Sequence, residues 1–187
     1  MDKYIPTNLA MTVYDIDFAT LYANGARVIL FDLDNTLASY DETTPTKKQL
    51  ELNEKLRKMG YKIFIISNNR KPRTYLYTRT FQVDDYLVLS KKPFLFKIKK
   101  FLKKHNIKTE EIVMIGDQML TDICCANRLG VKNIMVKSIS RKTERWYTRI
   151  NRLREKMILK KIAKKDAELA QKIKKYIGEQ GDGKVDE

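Results

Sequence analysis

Short apolar runs alternate with longer stretches of helical period along this chain, and the alternation predicts an α/β fold. Arg27 to Phe31, Tyr61 to Ile66, Glu111 to Ile115 and Lys132 to Val136 are rich in Val, Ile and Phe and read as buried strands. Between the first two, Thr46 to Met59 sets Leu50, Leu52 and Leu56 among charges and stops at Gly60, the pattern of a helix with a glycine end. Pro72 to Phe81 and Pro93 to His105 each open with a proline suited to a first helical turn, and Thr121 to Leu129 ends at Gly130, so three more helices are expected. A weaker strand, Tyr86 to Leu89, fits between the second and third helices. Strands joined through helices require right-handed crossovers. The expected architecture is therefore a doubly wound parallel sheet with helices on both faces and a ligand crevice at the carboxyl ends of the strands.

A chain of 187 residues that is 43% hydrophobic can bury one sizeable core with an appendage. The expected division is an α/β domain over residues 1–140, a basic helical extension over 141–177 and a disordered tail over 178–187. The net charge of +15 points to anionic partners. Residues 141–177 hold much of it, with fourteen Lys or Arg against Glu144, Glu155, Asp166 and Glu168. Within the extension, Trp146, Ile150, Leu153 and Met157 fall at helical spacing, with Arg145, Arg149, Arg152 and Arg154 nearby. Either that stripe packs on the domain with its arginines solvated, or it lies in a membrane interface with Trp at headgroup depth. From Lys160 to Lys175 the lysines occupy several faces, as on a charged, exposed helix.

Cys124 and Cys125 adjoin in sequence and build no disulfide framework, which fits a reducing compartment and core packing. Asp2, Pro6 and Asp15 interrupt any secretory leader, and no apolar run approaches the ~18 residues of a bilayer span. A cytoplasmic protein is expected, in at most peripheral contact with the inner face of a membrane.

The candidate chemistry lies in the loops after the strands. Asp32 and Asp34 follow the first strand, where alternation points both carboxylates to one side. Two adjacent carboxylates call for a cation, and oxygen donors favour Mg2+. One carboxylate can attack phosphorus while the other protonates the leaving alkoxide and later activates water, so Asp32 is the expected nucleophile and Asp34 the acid/base. After the second strand, Ser67-Asn68-Asn69-Arg70 offers a hydroxyl and backbone amides to a phosphoryl oxygen, although alone it would pass for a turn. Lys91-Lys92-Pro93 offers an ammonium to the nucleophile and the phosphoryl group, and spacing leaves Lys91 and Lys92 both open. Gly116-Asp117-Gln118-Met119-Leu120-Thr121-Asp122 offers a third carboxylate, although alone it would pass for a helix cap. His105, near a helix end, reads as a partner for free carbonyls rather than a catalyst.

The order Asp32-x-Asp34-x-Thr36, Ser67-Asn68, Lys92-Pro93 and Gly116-Asp117 resembles the haloacid dehalogenase superfamily, over about residues 25–138. With Tyr14-Asp15-Ile16-Asp17 and Gly25 included, it is similar to the YqeG-type branch of subfamily IIIA. The resemblance implies a Rossmann-like domain with little or no cap. It also implies Mg2+ held by Asp32, the backbone carbonyl of Asp34 and Asp117, with a phosphorylated Asp32. Ser67 and Asn68 would bind phosphate, Lys92 would neutralise charge, and Asp122 would support the metal from its edge. Thr36 would close the nucleophile loop.

The stretches from Leu37 to Thr46 and from Arg70 to Lys91 leave no room for a separate lid, so an open site is expected. Relatives of this branch include phosphatidylglycerophosphate phosphatases, which implies a phospholipid headgroup as the phosphomonoester substrate. The cationic extension could hold such an enzyme against an anionic leaflet. The alternatives are a phosphatase of a soluble nucleotide, sugar or protein phosphate, and a nucleic-acid or ribosome-associated protein whose extension neutralises phosphates.

Overall fold

The computed structural model describes residues 2–140, 142 and 146–177; the tail expected at 178–187 lies outside the described residues. Six parallel strands form one sheet, β1 (Asn8–Ala10), β2 (Val28–Phe31), β3 (Lys62–Ile66), β4 (Asp85–Leu87), β5 (Ile112–Gly116) and β6 (Lys132–Val136), in spatial order β1-β6-β5-β2-β3-β4. The helices are α1 (Phe18–Ala23), α2 (Lys47–Lys58), α3 (Lys71–Phe81), α4 (Phe96–Lys104), α5 (Cys124–Leu129), α6 (Trp146–Ala163) and α7 (Ala167–Lys174). The fold is the Rossmann-like layout expected. Short β1 pairs with β6 and went unpredicted, because three residues carry no readable alternation.

Alternation along the buried strands divides the core in two. Ile29, Phe31, Ile63, Ile65, Val113 and Ile115 face Leu52 and Leu56 of α2 and Tyr77 and Phe81 of α3. Val28, Leu30, Phe64, Ile66, Ile112 and Met114 face Ile98, Phe101 and Leu102 of α4 and Cys125 and Ala126 of α5. Helix α2 begins in a capping box between Thr46 and Gln49, and α5 ends at Gly130 with φ +77°. His105 caps α4, its N–H donating to the Phe101 and Leu102 carbonyls at 3.3 and 3.2 Å, while its ring packs near Phe64 and Phe101 with Nε2 2.8 Å from Asp85 Oδ2.

The extension folds back as α6 and α7 and builds a third cluster. Ile162, Ala170 and Ile173 pack with Met119, Ile123 and Met135. The apolar stripe read from sequence points the other way: Trp146, Ile150, Leu153 and Met157 are 72, 40, 61 and 57% exposed. Helix α6 packs instead through Thr148, Arg152, Glu155 and Ile162, all buried, so the expectation that the stripe docks and the arginines are solvated is corrected for Arg152. The lysine-rich stretch from Lys160 to Lys175 is likewise two helices with a buried side rather than one exposed helix.

Candidate active site

The strand order reverses at β2, whose neighbours are β3 and β5, and the loops after these three strands open beside one another. Asp32 leaves β2 with its N–H donating to the Ile115 carbonyl at 2.8 Å. Asn35 then turns the chain with φ +65°, a left-handed conformation that asparagine tolerates, and its N–H donates to the Ala38 carbonyl at 2.7 Å. Thr36 Oγ1, inside that loop, donates to Asp32 Oδ2 at 3.3 Å.

After β5, a π-helical turn spans Met119–Ile123 and carries Asp122 back toward the sheet, where its Oδ2 accepts from the Gln118 N–H at 3.1 Å. Gly116 makes that approach possible, since a Cβ there would lie 2.4 Å from Asp122 Cβ and 2.5 Å from its Cγ. Carboxylate oxygens of Asp32, Asp117 and Asp122 thus lie within 4.8 Å of one another, all three residues buried. An all-oxygen set of three carboxylates suits a hard divalent cation such as Mg2+. The Asp34 carboxylate is not in this cluster. It accepts from Ser67 Oγ at 3.1 Å, from Asn69 Nδ2 at 2.6 Å and from Arg73 of α3.

Of the paired lysines, Lys92 has a buried side chain, whereas Lys91 is exposed. Lys92 Nζ lies 2.5 Å from Asp32 Oδ1, 2.7 Å from Asp122 Oδ1 and donates to the Ile66 carbonyl at 2.7 Å. Burial opposes its charge, yet Asp122 and Asp32 together outweigh that and hold the ammonium above its ordinary range. Burial likewise pushes the Asp32 carboxyl up; Lys92 opposes the shift, while the charges of Asp122, Asp117 and Asp34 add to it. Against the carboxylates of Asp32, Asp117 and Asp122 stand the Lys92 ammonium and the Arg152 guanidinium, one cation fewer than the acids.

Asn68 ties the Lys92 loop in place. Its Oδ1 accepts from Ser90 Oγ and from the Lys92 N–H, each at 2.7 Å, and its Nδ2 donates to the Lys92 carbonyl at 3.1 Å. Asn68 and Asn69 line the pocket, whereas Ser67 is fully buried with its hydroxyl committed to Asp34 and to the Asn69 N–H.

Two arginines that the sequence did not mark as site residues reach the carboxylates. Arg73 bridges Asp34 and the carbonyls of Ser39 and Glu42. Arg152 of α6 pairs with Asp117 Oδ2 and donates to the Asp117 carbonyl at 3.0 Å, to Ser138 Oγ at 3.1 Å and to Glu155 Oε2 at 3.3 Å. Neither lies in a motif or an apolar period, and only the fold brings them to the carboxylates. The site is consequently less open than expected. A pocket of about 50 Å³ lies over Asp32 and Asp34, with Thr148 and Asn151 of α6 forming one wall.

The family model for haloacid dehalogenase-like hydrolases matches residues 38–136, more than half of the chain, a segment that contains Ser67, Lys92 and Asp117. The chain is 29% identical over 162 residues to "Probable phosphatase YqeG" of Bacillus subtilis, covering 87% of this chain and 93% of that protein. It is 31% identical over 111 residues to "Glyceraldehyde 3-phosphate phosphatase" of Pyrococcus furiosus, covering 55% of this chain and 45% of that protein. The structure titled as that of a predicted HAD-like family hydrolase from Porphyromonas gingivalis superposes with TM-score 0.50 at 16% identity, covering 69% of this chain and 98% of that one.

Proposed function

Because the chain belongs to the haloacid dehalogenase-like hydrolase family and is a phosphatase of that type, we propose that it hydrolyses a phosphomonoester through an aspartyl-phosphate on Asp32. The observation that carries this reading is the Lys92 ammonium buried between Asp32 and Asp122, with Asp117 beside them. An Asp32 oxygen attacks phosphorus and the bond from phosphorus to the alcohol oxygen breaks. Asp34 gives a proton to the departing alkoxide. Asp34 then takes a proton from a water that attacks the same phosphorus, the bond to Asp32 breaks, and inorganic phosphate leaves. Lys92 balances charge on Asp32 and on the incoming phosphoryl group. Arg73, Ser67 and Asn69 hold the Asp34 carboxylate in one orientation. Mg2+ held by Asp32 and Asp117, with Asp122 behind, would supply electrostatic stabilisation of the phosphoryl oxygens.

The substrate we propose is phosphatidylglycerophosphate, met by a cytoplasmic enzyme resting peripherally on an anionic membrane. Its support is the exposed apolar stripe of α6 beside Arg149 and Arg154, next in sequence to pocket residues, together with Phe94 and Phe96, 65 and 82% exposed, just after Lys92. Among the described residues no helix is long and apolar enough to cross a membrane. A small soluble phosphomonoester is the second reading, favoured by the similarity to the glyceraldehyde 3-phosphate phosphatase. Phosphate release from phosphatidylglycerophosphate micelles and from glyceraldehyde 3-phosphate, with and without EDTA, tests both. Equal or faster release from the soluble ester overturns the lipid assignment, and undiminished release in EDTA overturns the metal. Cosedimentation with phosphatidylglycerol vesicles tests the membrane contact, which is overturned if the protein stays in the supernatant.

A further inference from the structure

Five polar side chains of the pocket take no part in the chemistry above: Tyr40, Gln118, Thr121, Thr148 and Asn151. Tyr40 Oη and Thr148 Oγ1 share one hydrogen bond of 3.3 Å. Gln118 and Asn151 carry amide side chains that make no hydrogen bond among the described residues, and both face the same narrow space. All five are uncharged, and Lys92, the cation of the pocket lining, is taken up by Asp32, Asp122 and the Ile66 carbonyl.

We propose that Gln118 and Asn151 form the subsite that reads the leaving group, and that next to the ester oxygen this group presents a short aliphatic segment carrying a free hydroxyl, such as a glycerol unit. The proposal rests on the phosphatase reading and deepens it. An amide offers both donors and acceptors, which is what a hydroxyl group needs, and it brings no positive charge to a second phosphate. A pocket of about 50 Å³ holds roughly four waters at some 10–15 Å³ each, space on the scale of a phosphoryl group and the few leaving-group atoms next to it.

The wall that carries Asn151 is anchored by polar contacts. Helix α6 is tied to the domain through Thr148 to Tyr40, Arg152 to Asp117, and Glu155 Oε1, which accepts from the Leu120 N–H at 3.3 Å. The basic extension thereby supplies the leaving-group contacts that no inserted segment provides. An ester lacking the hydroxyls would leave both amides facing the reactant without partners, which is the arrangement that discriminates well.

The test compares glycerol 3-phosphate with n-propyl phosphate, which has the same carbon chain and no free hydroxyls. The wild type should favour the glycerol ester in kcat/KM by roughly tenfold or more, the worth of one good hydrogen bond. Asn151→Ala and Gln118→Ala should each bring that ratio toward one, chiefly through KM. Alanine favours helix more than asparagine does, so Asn151→Ala is not expected to unfold α6, and Gln118→Ala tests the opposite wall independently. No preference in the wild type, or a preference untouched by both variants, overturns the subsite. Phosphate release from p-nitrophenyl phosphate and phosphatidylglycerophosphate, measured alongside, reports on the phosphatase reading, and a wild type inactive on every ester overturns that reading and the subsite with it.

Discussion

Replacing Arg152 by methionine keeps most of the stem and removes the charge that the α6 contact depends on. Arg152 is 5% exposed, and the side chains of its partners Asp117 and Glu155 are fully buried. Methionine leaves two buried carboxylates without their shared guanidinium. Breaking a buried ion pair from one side costs about 3–5 kcal/mol, and each kcal/mol moves Tm by about 2–4 °C in a chain of this size, so Tm should fall by roughly 6–20 °C at pH 7.

The pH dependence has a definite sign. Burial already pushes the Glu155 carboxyl above its usual range, with Arg152 opposing the shift. Loss of Arg152 raises that carboxyl further. A carboxyl whose folded pKa exceeds its unfolded value takes up its proton first in the folded state, so folding gains stability as pH falls through the folded value toward the ordinary glutamate value. The deficit of Arg152→Met against wild type should therefore narrow between pH 7 and pH 5. Thermal melts followed by circular dichroism at both pH values measure it. A variant that melts within about 2 °C of wild type at pH 7, well inside the expected loss, or a deficit that does not shrink at pH 5, refutes the reasoning.

Asp32→Asn should abolish phosphate release while leaving the fold intact by circular dichroism; near wild-type turnover would remove the nucleophile from the scheme. Asp117→Ala should raise the Mg2+ concentration needed for half-maximal rate, and a metal titration with unchanged midpoint would exclude Asp117 as a ligand. Gly116→Ala must displace Asp122 and with it Lys92, so turnover should drop on the order of 100-fold, the scale of a 1 Å misplacement, with little change in the far-ultraviolet spectrum. Burial pushes the Cys125 thiol up to about 12 and raises Cys124 as well, so at pH 8 both should stay protonated and resist a thiol reagent until the protein is unfolded; rapid labelling of the native protein would contradict their place in the core.

The strands that build the sheet were legible because parallel strands buried on both faces read as continuous apolar runs, as in Val28 to Phe31 and Ile112 to Ile115. Helix ends were legible through local chemistry, in the Thr46 cap and Gly130. So was the placement of Asp32, Ser67, Lys92 and Asp117 in loops near the strand ends, since it needs only the order of elements along the chain.

What each side chain meets there was decided by the tertiary structure. Lys91 and Lys92 are equivalent in spacing, and only the loop geometry buries one of them between two carboxylates. Asp34 and Ser67 face each other because β2 and β3 are neighbours in the sheet, a fact no local pattern contains. The extension shows the limit most clearly. Hydrophobic period singled out Trp146, Ile150, Leu153 and Met157, yet the buried face of α6 runs through Thr148, Arg152 and Glu155. A helix face whose burial is stabilised by ion pairs and hydrogen bonds to Asp117 and Tyr40 has no apolar signature, because the partners that make it favourable lie more than 30 residues away in sequence and meet it only once the sheet has formed.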